Sequence, residues 1–390
     1  MKRDICAIVV ELALLLQDPE SYKTFLAYRG PGAQGLLDIL QDVLDLDAFA
    51  VVKPLICKAL LRLCRASGLY PRCFVLTELE KIGDQVAAGG FGDIWKGVIH
   101  KRSVCVKVMR LFKDSDIQAL LKEFGREALI WRQFCHPNLL PFFGVYYLGN
   151  RLCLVSPWME NGTITEFLRD EPDADRLSLI LDVALGLQYL HEQNVVHGDL
   201  KAINILVTPS QRACIGDFGL ASIINTMSVR FTHSTGNVRG GTARYQAPEL
   251  FKGIPSHFGS DVYAFACTCY EILTGRVPFH ELPNDVTVMF KVIEGNRPSR
   301  PEACSGTAAL DSLWKLLETC WDGEAEKRPN AAQIVKRLEG LSLRGSTAAS
   351  ATDWDEKFTS KFRRSLHDKP LLPSVAQIER LIFGDGESSV

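Results

Sequence analysis

Residues 195–219 read VVHGDLKAINILVTPSQRACIGDFG, a polar loop, an apolar run, a turn and a second polar group in close succession. Asp199 lies in the loop, Lys201 is two residues further on, and Asn204 is five residues further on. The β-branched and apolar run after Asn204 predicts a short strand, and Asp217 stands beyond the turn, before Phe and Gly. This order predicts a unit that brings two carboxylates, one amide and one ammonium group to one place.

Such a set of groups suits phosphoryl transfer. That reaction needs a base for the incoming hydroxyl, oxygen ligands for Mg²⁺ and positive charge on the transferring phosphate. A loop that holds the phosphates would complete the set, and a glycine-rich turn, VAAGGFGDI, occurs upstream at residues 86–94. Glycines let backbone N–H groups approach phosphates without a Cβ in the way, although such a turn taken alone is more often a structural hairpin.

The composition is that of an ordinary globular chain. Its 390 residues suffice for one large domain or two to three small ones, and the net charge is −2. Because there is no basic excess, we expect no nucleic-acid partner. The twelve cysteines include no CxxC pair, which favours a reducing, cytoplasmic setting over a secreted disulfide framework. The apolar run at residues 5–16 is interrupted by Glu11 and too short to cross a bilayer, so it predicts an amphipathic helix rather than a signal peptide or membrane span.

The N-terminal region, residues 1–75, is predicted to be helical. Apolar residues recur at helical spacing in two runs, at 36–44 and at 55–63. Pro54 fits the first turn of the second helix, and Gly68 predicts its end. With no metal-ligand or nucleophile pattern, the region is either a helical cap packed on the next region of the chain or a module for a helical partner or self-association.

The second region, residues 76–155, is predicted to consist mainly of strands. The run VCVKV places Lys107 within an apolar strand, where it must find a partner or reach solvent. Glu127, in the helical run after that strand, is a candidate partner. Two further strands are predicted at residues 139–148 and 151–155.

The third region, residues 160–342, is predicted to be mostly helical. Helical stretches are expected at about residues 177–191, 259–274, 308–322 and 330–341. Residues 343–390 open with a Gly-, Ser- and Thr-rich run and carry mixed charge, so this tail is predicted to be mostly disordered. One short helix is expected within it, at residues 375–383.

Taken together and in this order, the motifs resemble those of the protein kinases over residues 76–342. The resemblance implies an α+β, bilobal fold with a five-stranded β N-lobe at 76–155, a helical C-lobe at 160–342 and an N-terminal all-α extension. It also implies ATP and Mg²⁺ as cofactors and proteins as substrates, with the nucleotide in the cleft between the lobes.

The catalytic roles of that family carry over by position. Asp199 matches the base that accepts the proton of the substrate hydroxyl. Lys201 matches the lysine placed at the γ-phosphate. Asn204 and Asp217 match the two Mg²⁺ ligands.

The nucleotide-binding roles carry over in the same way. Lys107 resembles the strand lysine that holds the α- and β-phosphates, with Glu127 as its partner. Ser156 matches the gatekeeper position, while Pro157 would offer its carbonyl and Met159 its amide to the adenine edge. The glycines expected to cover the phosphates and the side chains expected around the ring are Gly89, Gly90, Gly92, Val86, Ile94, Cys105 and Leu206.

Three further residues resemble structural rather than catalytic members of the family. Glu249 and Arg328 are expected to form the buried ion pair that fixes the C-lobe. Asp261, early in a helix, is expected to hold the backbone of the catalytic loop.

The substrate class is narrowed by two sets of motifs. Lys201, two residues past the catalytic Asp, and the sequence GTARYQAPE at residues 241–249 resemble Ser/Thr kinases. Cys320-Trp321, followed by Arg328-Pro329, resembles the tyrosine-kinase-like branch. The combination of the two sets of motifs implies a tyrosine-kinase-like Ser/Thr kinase of intracellular signalling. The N-terminal helices and Gly92-Asp93-Ile94 also resemble kinases expanded in mushroom-forming fungi.

Three residues depart from the family pattern. Gly198 stands where most members have an Arg that binds a phosphorylated activation loop, so this would be a non-RD kinase with less control by loop phosphorylation. Ala87 replaces the first glycine of the phosphate loop, and Cys105 places a thiol over the adenine. Gly198 and Ala87 leave a second hypothesis open, a pseudokinase scaffold that binds nucleotide weakly and recruits partners through residues 1–75.

Overall fold

The computed structural model of the protein describes most of the chain. The described residues are 2–45, 51–76, 79–89, 92–108, 131, 136–148, 151–217, 222–223, 242–301, 306–342, 353–354, 358–359 and 362. The chain divides into two compact units. The first comprises Met1–Gln133, Pro141–Trp158 and Glu356–Val390, and the second comprises Phe134–Leu140 and Met159–Asp355.

The N-terminal region of the first unit is helical, as predicted. Its helices are α1 (Lys2–Gln17), α2 (Pro19–Ala27), α3 (Gly30–Leu44) and α4 (Lys53–Ser67). The apolar stripes of α3 and α4 pack against each other, and Leu37 and Leu60 within them are fully buried. Pro54 lies in the first turn of α4, and Gly68 caps its end with a φ of +72°, a left-handed conformation that favours glycine. Both helix-end signals are therefore confirmed.

The linker after α4 is held against α3 by an acidic side chain. Asp38 accepts the Arg72 backbone N–H at 2.7 Å and the Arg72 Nε–H at 2.6 Å. Phe74, two residues on, is 1% exposed, and its ring packs edge-on against Phe142 with centroids 6.3 Å apart. The helices and the sheet that comes after them thus lie in one compact unit.

The sheet of the first unit has five antiparallel strands in the order β1-β2-β3-β5-β4, as predicted for the N-lobe. Its strands are β1 (Glu80–Gly89), β2 (Gly92–Ile99), β3 (Arg102–Val108), β4 (Gly144–Leu148) and β5 (Arg151–Pro157). The strand predicted from residue 139 begins only at Gly144. Pro141 lacks the N–H that a strand ladder needs, and the apolar run around it is buried as irregular chain.

The two faces of this sheet have different surroundings. The valines of β3 lie on one face, in a core with Phe143 and Phe362, whereas Cys105 and Lys107 alternate with them and lie on the other face. Phe362 belongs to the predicted tail. It is 1% exposed, and its ring stacks on Phe143 with centroids 3.8 Å apart. Trp354 and Thr359 of the tail are also buried, so these described positions are packed rather than disordered. Most of the tail, including the helix predicted at residues 375–383, lies outside the described residues.

The second unit is mainly helical, as predicted. Its helices are α5 (Ile164–Asp170), α6 (Arg176–Glu192), α7 (Pro248–Phe251), α8 (Phe258–Thr274), α9 (Asp285–Ile293), α10 (Ala308–Cys320) and α11 (Ala331–Ser342). α8 is buried along most of its length, and α5, α6 and α10 pack against it. The short strands form two sheets, β6 (Val195–Val196) with β9 (Ser222–Ile223), and β7 (Ile205–Val207) with β8 (Ala213–Ile215). None of the described helices has both the length and the apolar character that crossing a membrane requires.

Candidate active site

The loop after β6 gathers Asp199, Lys201 and Asn204 into one hydrogen-bonded cluster. Lys201 Nζ donates to Asp199 Oδ2 at 2.8 Å, and Asn204 Nδ2 donates to the Asp199 carbonyl at 2.8 Å. The same amide nitrogen lies 3.4 Å from Asp199 Oδ2. A 3₁₀ turn over Ala202–Asn204 closes the loop and places Asn204 directly before β7. Three of the four polar groups expected to meet therefore do so.

The backbone of this loop is fixed by Asp261 of α8, which is 1% exposed. Its carboxylate oxygens accept the backbone N–H groups of His197, at 2.8 Å, and Gly198, at 2.9 Å. The His191 ring nitrogen lies 3.0 Å from the same carboxylate. Burial alone would raise the pKa of Asp261, but the hydrogen bonds from His191 and Gly198 and the neighbouring histidines lower it below its ordinary value. Asp261 thus anchors the loop.

The backbone conformation at position 198 favours glycine. Its φ is +80°, in the left-handed region where a Cβ is costly. A larger residue at this position would carry about 1–2 kcal/mol of backbone strain. The departure from the family pattern at Gly198 therefore concerns backbone conformation as well as charge.

The β7–β8 hairpin carries the two predicted metal ligands at its open end. Asn204 directly precedes β7, and Asp217 follows β8 by two residues. The Gly216 N–H donates to the Asn204 carbonyl at 2.8 Å, and the Gly216 carbonyl lies 3.0 Å from His197 Nε2. Asp217 has a φ of +58°, which is uncommon for a non-glycine residue. The fourth predicted group is thus tied to the catalytic loop through the residue before it.

A further segment, residues 136–140, lies along β8. The side-chain amide of Asn138 donates to the Ala213 carbonyl at 2.9 Å, and the Ile215 N–H donates to the Asn138 carbonyl at 2.9 Å. Asn138 is 2% exposed, so both hydrogen bonds are shielded from water. The backbone that leads to the second predicted metal ligand is therefore supported on both sides, by β7 and by this segment.

His136, at the start of that segment, is held in its neutral form. Its ring packs on Tyr189 with centroids 5.0 Å apart, and its Nδ1 accepts the Asn138 N–H at 3.1 Å. Burial lowers the pKa of His136 to about 4, although the charge of Glu192 opposes this shift. Protonation would both place a charge in a half-buried position and remove an acceptor.

We expect the stability of the protein to fall as the pH is lowered from about 6.5 to about 4 because of His136. In this window the unfolded chain binds the proton and the folded chain does not, so acid favours unfolding, whereas above about 6.5 both forms are neutral. In His136→Asn the side-chain oxygen keeps an acceptor for the Asn138 N–H and does not titrate. Its thermal midpoint should therefore fall less than that of the wild type between pH 7.5 and 4.5.

His100→Asn is the control for this comparison, because His100 is an exposed histidine with a φ of +46°, a conformation that asparagine tolerates. It should keep the pH dependence of the wild type. Equal pH dependence of the midpoint in wild type and His136→Asn would contradict the assignment.

The ion pair predicted between Glu249 and Arg328 is present. Arg328 donates from Nη1 and Nη2 to the two oxygens of Glu249 at 2.7 and 2.8 Å, in bidentate geometry. Arg328 also donates to the Gly259 carbonyl at 2.8 Å, and His257 Nε2 lies 3.3 Å from Glu249. Burial alone would raise the pKa of Glu249, but the hydrogen bonds from His257 and Arg328 lower it to about 2. The pair joins α7 to the turn before α11.

Residues 242–245, which end two residues before α7, are anchored by contacts that the sequence patterns did not reveal. The Arg244 guanidinium donates to Asp285 at 3.1 Å and to three backbone carbonyls of the loop before α9 at 2.5 to 3.0 Å. The Tyr245 hydroxyl donates to Glu271 of α8. Burial, together with the neighbouring carboxylate of Glu271, raises the pKa of Tyr245 far above its ordinary value. The segment is therefore held by the side chains of its last two residues, Arg244 and Tyr245.

The ion pair between Asp182 and Arg212, also not predicted, supports the β7–β8 hairpin. Asp182 of α6 is fully buried and accepts the Arg212 Nε–H at 2.7 Å and the Ala213 N–H at 3.0 Å. The one available signal was an acid within an otherwise apolar stretch of a predicted helix, since a buried carboxylate requires a partner.

In the first unit, the register of the sheet places Cys105, Lys107 and Ser156 on one face. Lys107 pairs with Ile94 of β2, and Cys105 pairs with Ser156 of β5. Because directly opposite residues of an antiparallel sheet share a face, all four side chains belong to the same side. Ser156 is 3% exposed and Cys105 is half-buried.

The glycine-rich turn joins β1 to β2, as the predicted phosphate loop requires. Gly89 ends β1 and pairs with Gly92, which begins β2. Gly90 and Glu127, the predicted partner of Lys107, lie outside the described residues. The pairing of Lys107 with Glu127 stays a prediction.

The remaining residues predicted to surround an adenine ring differ in exposure. Val86 of β1 is 55% exposed, whereas Met159 of the second unit is 6% exposed. Pro157 ends β5, and Leu206 is the half-buried central residue of β7. Contact of these four residues with a nucleotide stays a prediction.

Comparison with known proteins gives one family for most of the chain. Residues 80–338 match the family model described as protein tyrosine and serine/threonine kinase. Similar proteins include the serine/threonine-protein kinases STY46 and STY17 of Arabidopsis thaliana, which are 29% and 32% identical over 67% of this chain. The match covers 44% of the length of each of these two relatives. The serine/threonine/tyrosine-protein kinase HT1 of the same species is 31% identical over 66% of this chain and 65% of its own length.

Proposed function

This chain belongs to the protein tyrosine and serine/threonine kinase family, and on that premise we propose that it is an ATP-dependent protein kinase that phosphorylates serine and threonine hydroxyls. The proposal rests on the cluster of Asp199, Lys201 and Asn204, whose loop is held by two N–H···O hydrogen bonds to Asp261. A fold alone does not specify a reaction, but a base, a cation and an amide in this arrangement suit phosphoryl transfer to a hydroxyl.

Asp199 would act as the base for the incoming hydroxyl. Its side chain is buried, and Oδ2 accepts the Lys201 ammonium at 2.8 Å, so the carboxylate is oriented before a substrate arrives. Lys201 places a positive charge beside the oxygens that exchange the proton and the phosphoryl group, where developing negative charge is stabilised.

Asn204 and Asp217 would hold Mg²⁺, the cofactor that the family implies. Asn204 uses its side-chain nitrogen to donate to the Asp199 carbonyl, so its side-chain oxygen is the atom available as a ligand. An amide oxygen and a carboxylate oxygen are hard ligands, and Mg²⁺ commonly takes one or two carboxylates together with substrate phosphates. The donor set of this chain therefore fits the ion, which when bound would neutralise charge on the phosphate oxygens.

In the first unit, the face that carries Lys107, Cys105 and Ser156 would receive the nucleotide. Lys107 would bind the α- and β-phosphates, and the backbone of Gly89 and Gly92 would approach them without a Cβ in the way. The half-buried thiol of Cys105 and the buried Ser156 opposite it would line the adenine.

The proposed substrate specificity, cellular location and partners rest mainly on the sequence. Lys201, two residues after the base, favours serine and threonine over tyrosine as substrates. The described cysteines are thiols rather than disulfides, which supports a cytoplasmic location. Residues 1–75 would serve a helical partner or self-association, and we retain the resemblance to kinases expanded in mushroom-forming fungi as part of the proposal.

Autophosphorylation with site mapping by mass spectrometry tests this function. We expect Mg²⁺-dependent incorporation of phosphate on Ser and Thr residues when the purified chain is incubated with ATP. Phosphotyrosine as the main product would contradict the Ser/Thr specificity. Thermal melting with ATP, with and without Mg²⁺, adds a readout that does not depend on turnover. If neither phosphate incorporation nor Mg²⁺-dependent stabilisation occurs, the result favours a pseudokinase scaffold, the function to which Ala87 and Gly198 point.

A further inference from the structure

Two residues of the tail, Asp353 and Trp354, contact the part of the second unit that carries the proposed metal ligands. Trp354 is 6% exposed, and its indole N–H donates to the His136 carbonyl at 3.1 Å. One carboxylate oxygen of Asp353 accepts the Ser210 backbone N–H at 3.3 Å and also the Ser210 hydroxyl. The partners are 218 and 143 residues apart in sequence, so neither contact follows from local structure.

Asp353 acts on the closed end of the β7–β8 hairpin. Ser210 lies in the turn between the strands, where its hydroxyl lies 3.2 Å from that of Thr208. Asn204 and Asp217 flank the open end of the same hairpin. Each strand has three residues, so the two ends of the hairpin are about 10 Å apart. A contact that fixes the closed end of such a short hairpin therefore also orients its open end.

Trp354 acts on the flank of the hairpin. The His136 carbonyl that accepts its indole N–H also accepts the Leu139 N–H at 3.1 Å, which fixes the turn at the start of residues 136–140. That segment hydrogen-bonds to β8 through Asn138 and supports the strand that leads to Asp217. The tail therefore reaches this strand through a single intervening segment.

We propose that Asp353 and Trp354 are positioning residues for phosphoryl transfer, which set the β7–β8 hairpin so that Asn204 and Asp217 are placed to hold Mg²⁺. This inference rests on the proposed kinase function. Neither tail residue touches the reacting groups. A tail that only covered apolar surface would need neither a carboxylate on the turn nor an indole N–H directed at a carbonyl, whereas directional hydrogen bonds fix one position of the hairpin.

Trp354→Phe tests the proposal, since it removes the N–H donor and keeps an aromatic ring. We expect the Mg²⁺ concentration for half-maximal activity to rise about 2- to 10-fold, the range that the loss of one hydrogen bond produces. Stabilisation of the protein by Mg²⁺·ADP in thermal melting should weaken, while KM for a peptide substrate stays unchanged. Amide hydrogen exchange of residues 213–217 should accelerate. Asp353→Asn, a milder change, should act in the same direction.

Trp314→Phe is the matched control. Trp314 is 4% exposed, and its indole N–H donates at 2.9 Å to Glu318 within α10 rather than to the hairpin segments. The control variant therefore loses a similar hydrogen bond away from the hairpin. It should leave the Mg²⁺ dependence and the exchange of residues 213–217 as in the wild type. If Trp354→Phe and Asp353→Asn also match the wild type in both measurements, the inference is overturned. A wild type without phosphotransfer or Mg²⁺-dependent stabilisation would overturn the proposed function instead, and hydrogen exchange would still decide whether the two residues position the hairpin.

Discussion

Replacement of Asp199 by asparagine is expected to slow phosphotransfer by about 10²- to 10⁴-fold, the usual contribution of a general base. The amide has the shape of the carboxylate but does not accept the proton of the substrate hydroxyl. The loop should keep its conformation, because Asn204 donates to the carbonyl of residue 199 and Asp261 holds the two preceding N–H groups. We therefore expect ATP to bind still. Initial rates at saturating ATP and thermal melting with Mg²⁺·ATP measure the two effects separately.

Asp311→Asn is the control for loss of a carboxylate as such. Asp311 is half exposed and pairs with Arg300 on the surface, a kind of contact that contributes little. Its phosphotransfer rate should match that of the wild type, since the pair lies at the surface and does not touch the loop. Asp199→Asn with wild-type activity would refute the assignment of the base.

Features that depend only on residues close together in the chain could be predicted from the sequence. Pro54 and Gly68 mark the ends of α4 because a missing N–H and a left-handed φ are requirements of single positions. Asp199, Lys201 and Asn204 lie within six residues of one another, so a tight turn suffices to bring them together. The strands β3, β4 and β5 also followed from local apolar runs and turn signals, whereas the full five-stranded sheet was implied by the resemblance to the protein kinases.

Contacts between residues far apart in sequence could not be predicted in this way. An arginine such as Arg212 or a tryptophan such as Trp354 has the same local pattern whether it is exposed or buried, and its partner is set only when the chain folds. The strand expected from residue 139 shows the same limit. An apolar run is compatible with a strand or with buried irregular chain, and the hydrogen bonds of Asn138 to β8 select the second.

Replacement of Arg328 by methionine is expected to lower the free energy of unfolding of the second unit by about 3–5 kcal/mol, the typical cost of removing one partner of a buried ion pair. The variant leaves the Glu249 carboxylate buried without its bidentate partner, and the Gly259 carbonyl also loses a donor. Chemical denaturation followed by circular dichroism and by tryptophan fluorescence measures the change. Separate probes are needed because a chain of two units need not unfold in one step.

Arg300→Met is the matched control for this substitution. Arg300 also pairs with an acid, Asp311, and its guanidinium lies 5.8 Å from the centre of the Trp314 ring, as that of Arg328 lies 5.3 Å from that of Tyr263. Its pair is partly exposed, so we expect a loss of less than about 1 kcal/mol. Equal losses of unfolding free energy in the two variants would show that the buried Arg328 pair contributes no more to stability than a partly exposed pair.

The pH dependence of the Arg328→Met effect gives an independent check on its cause. In the wild type, the low pKa of Glu249 contributes stability that is present above the ordinary value of about 4.5 and is lost as the pH falls towards about 2. Without Arg328, the pKa of Glu249 should rise above its value in the wild type, because burial is then opposed mainly by His257. Protonation in the acid range should therefore relieve the variant of a buried charge that has lost its bidentate partner. The stability difference between wild type and variant should therefore shrink between pH 7 and pH 4. A difference that is constant over this range would assign the loss to packing rather than to the charge on Glu249.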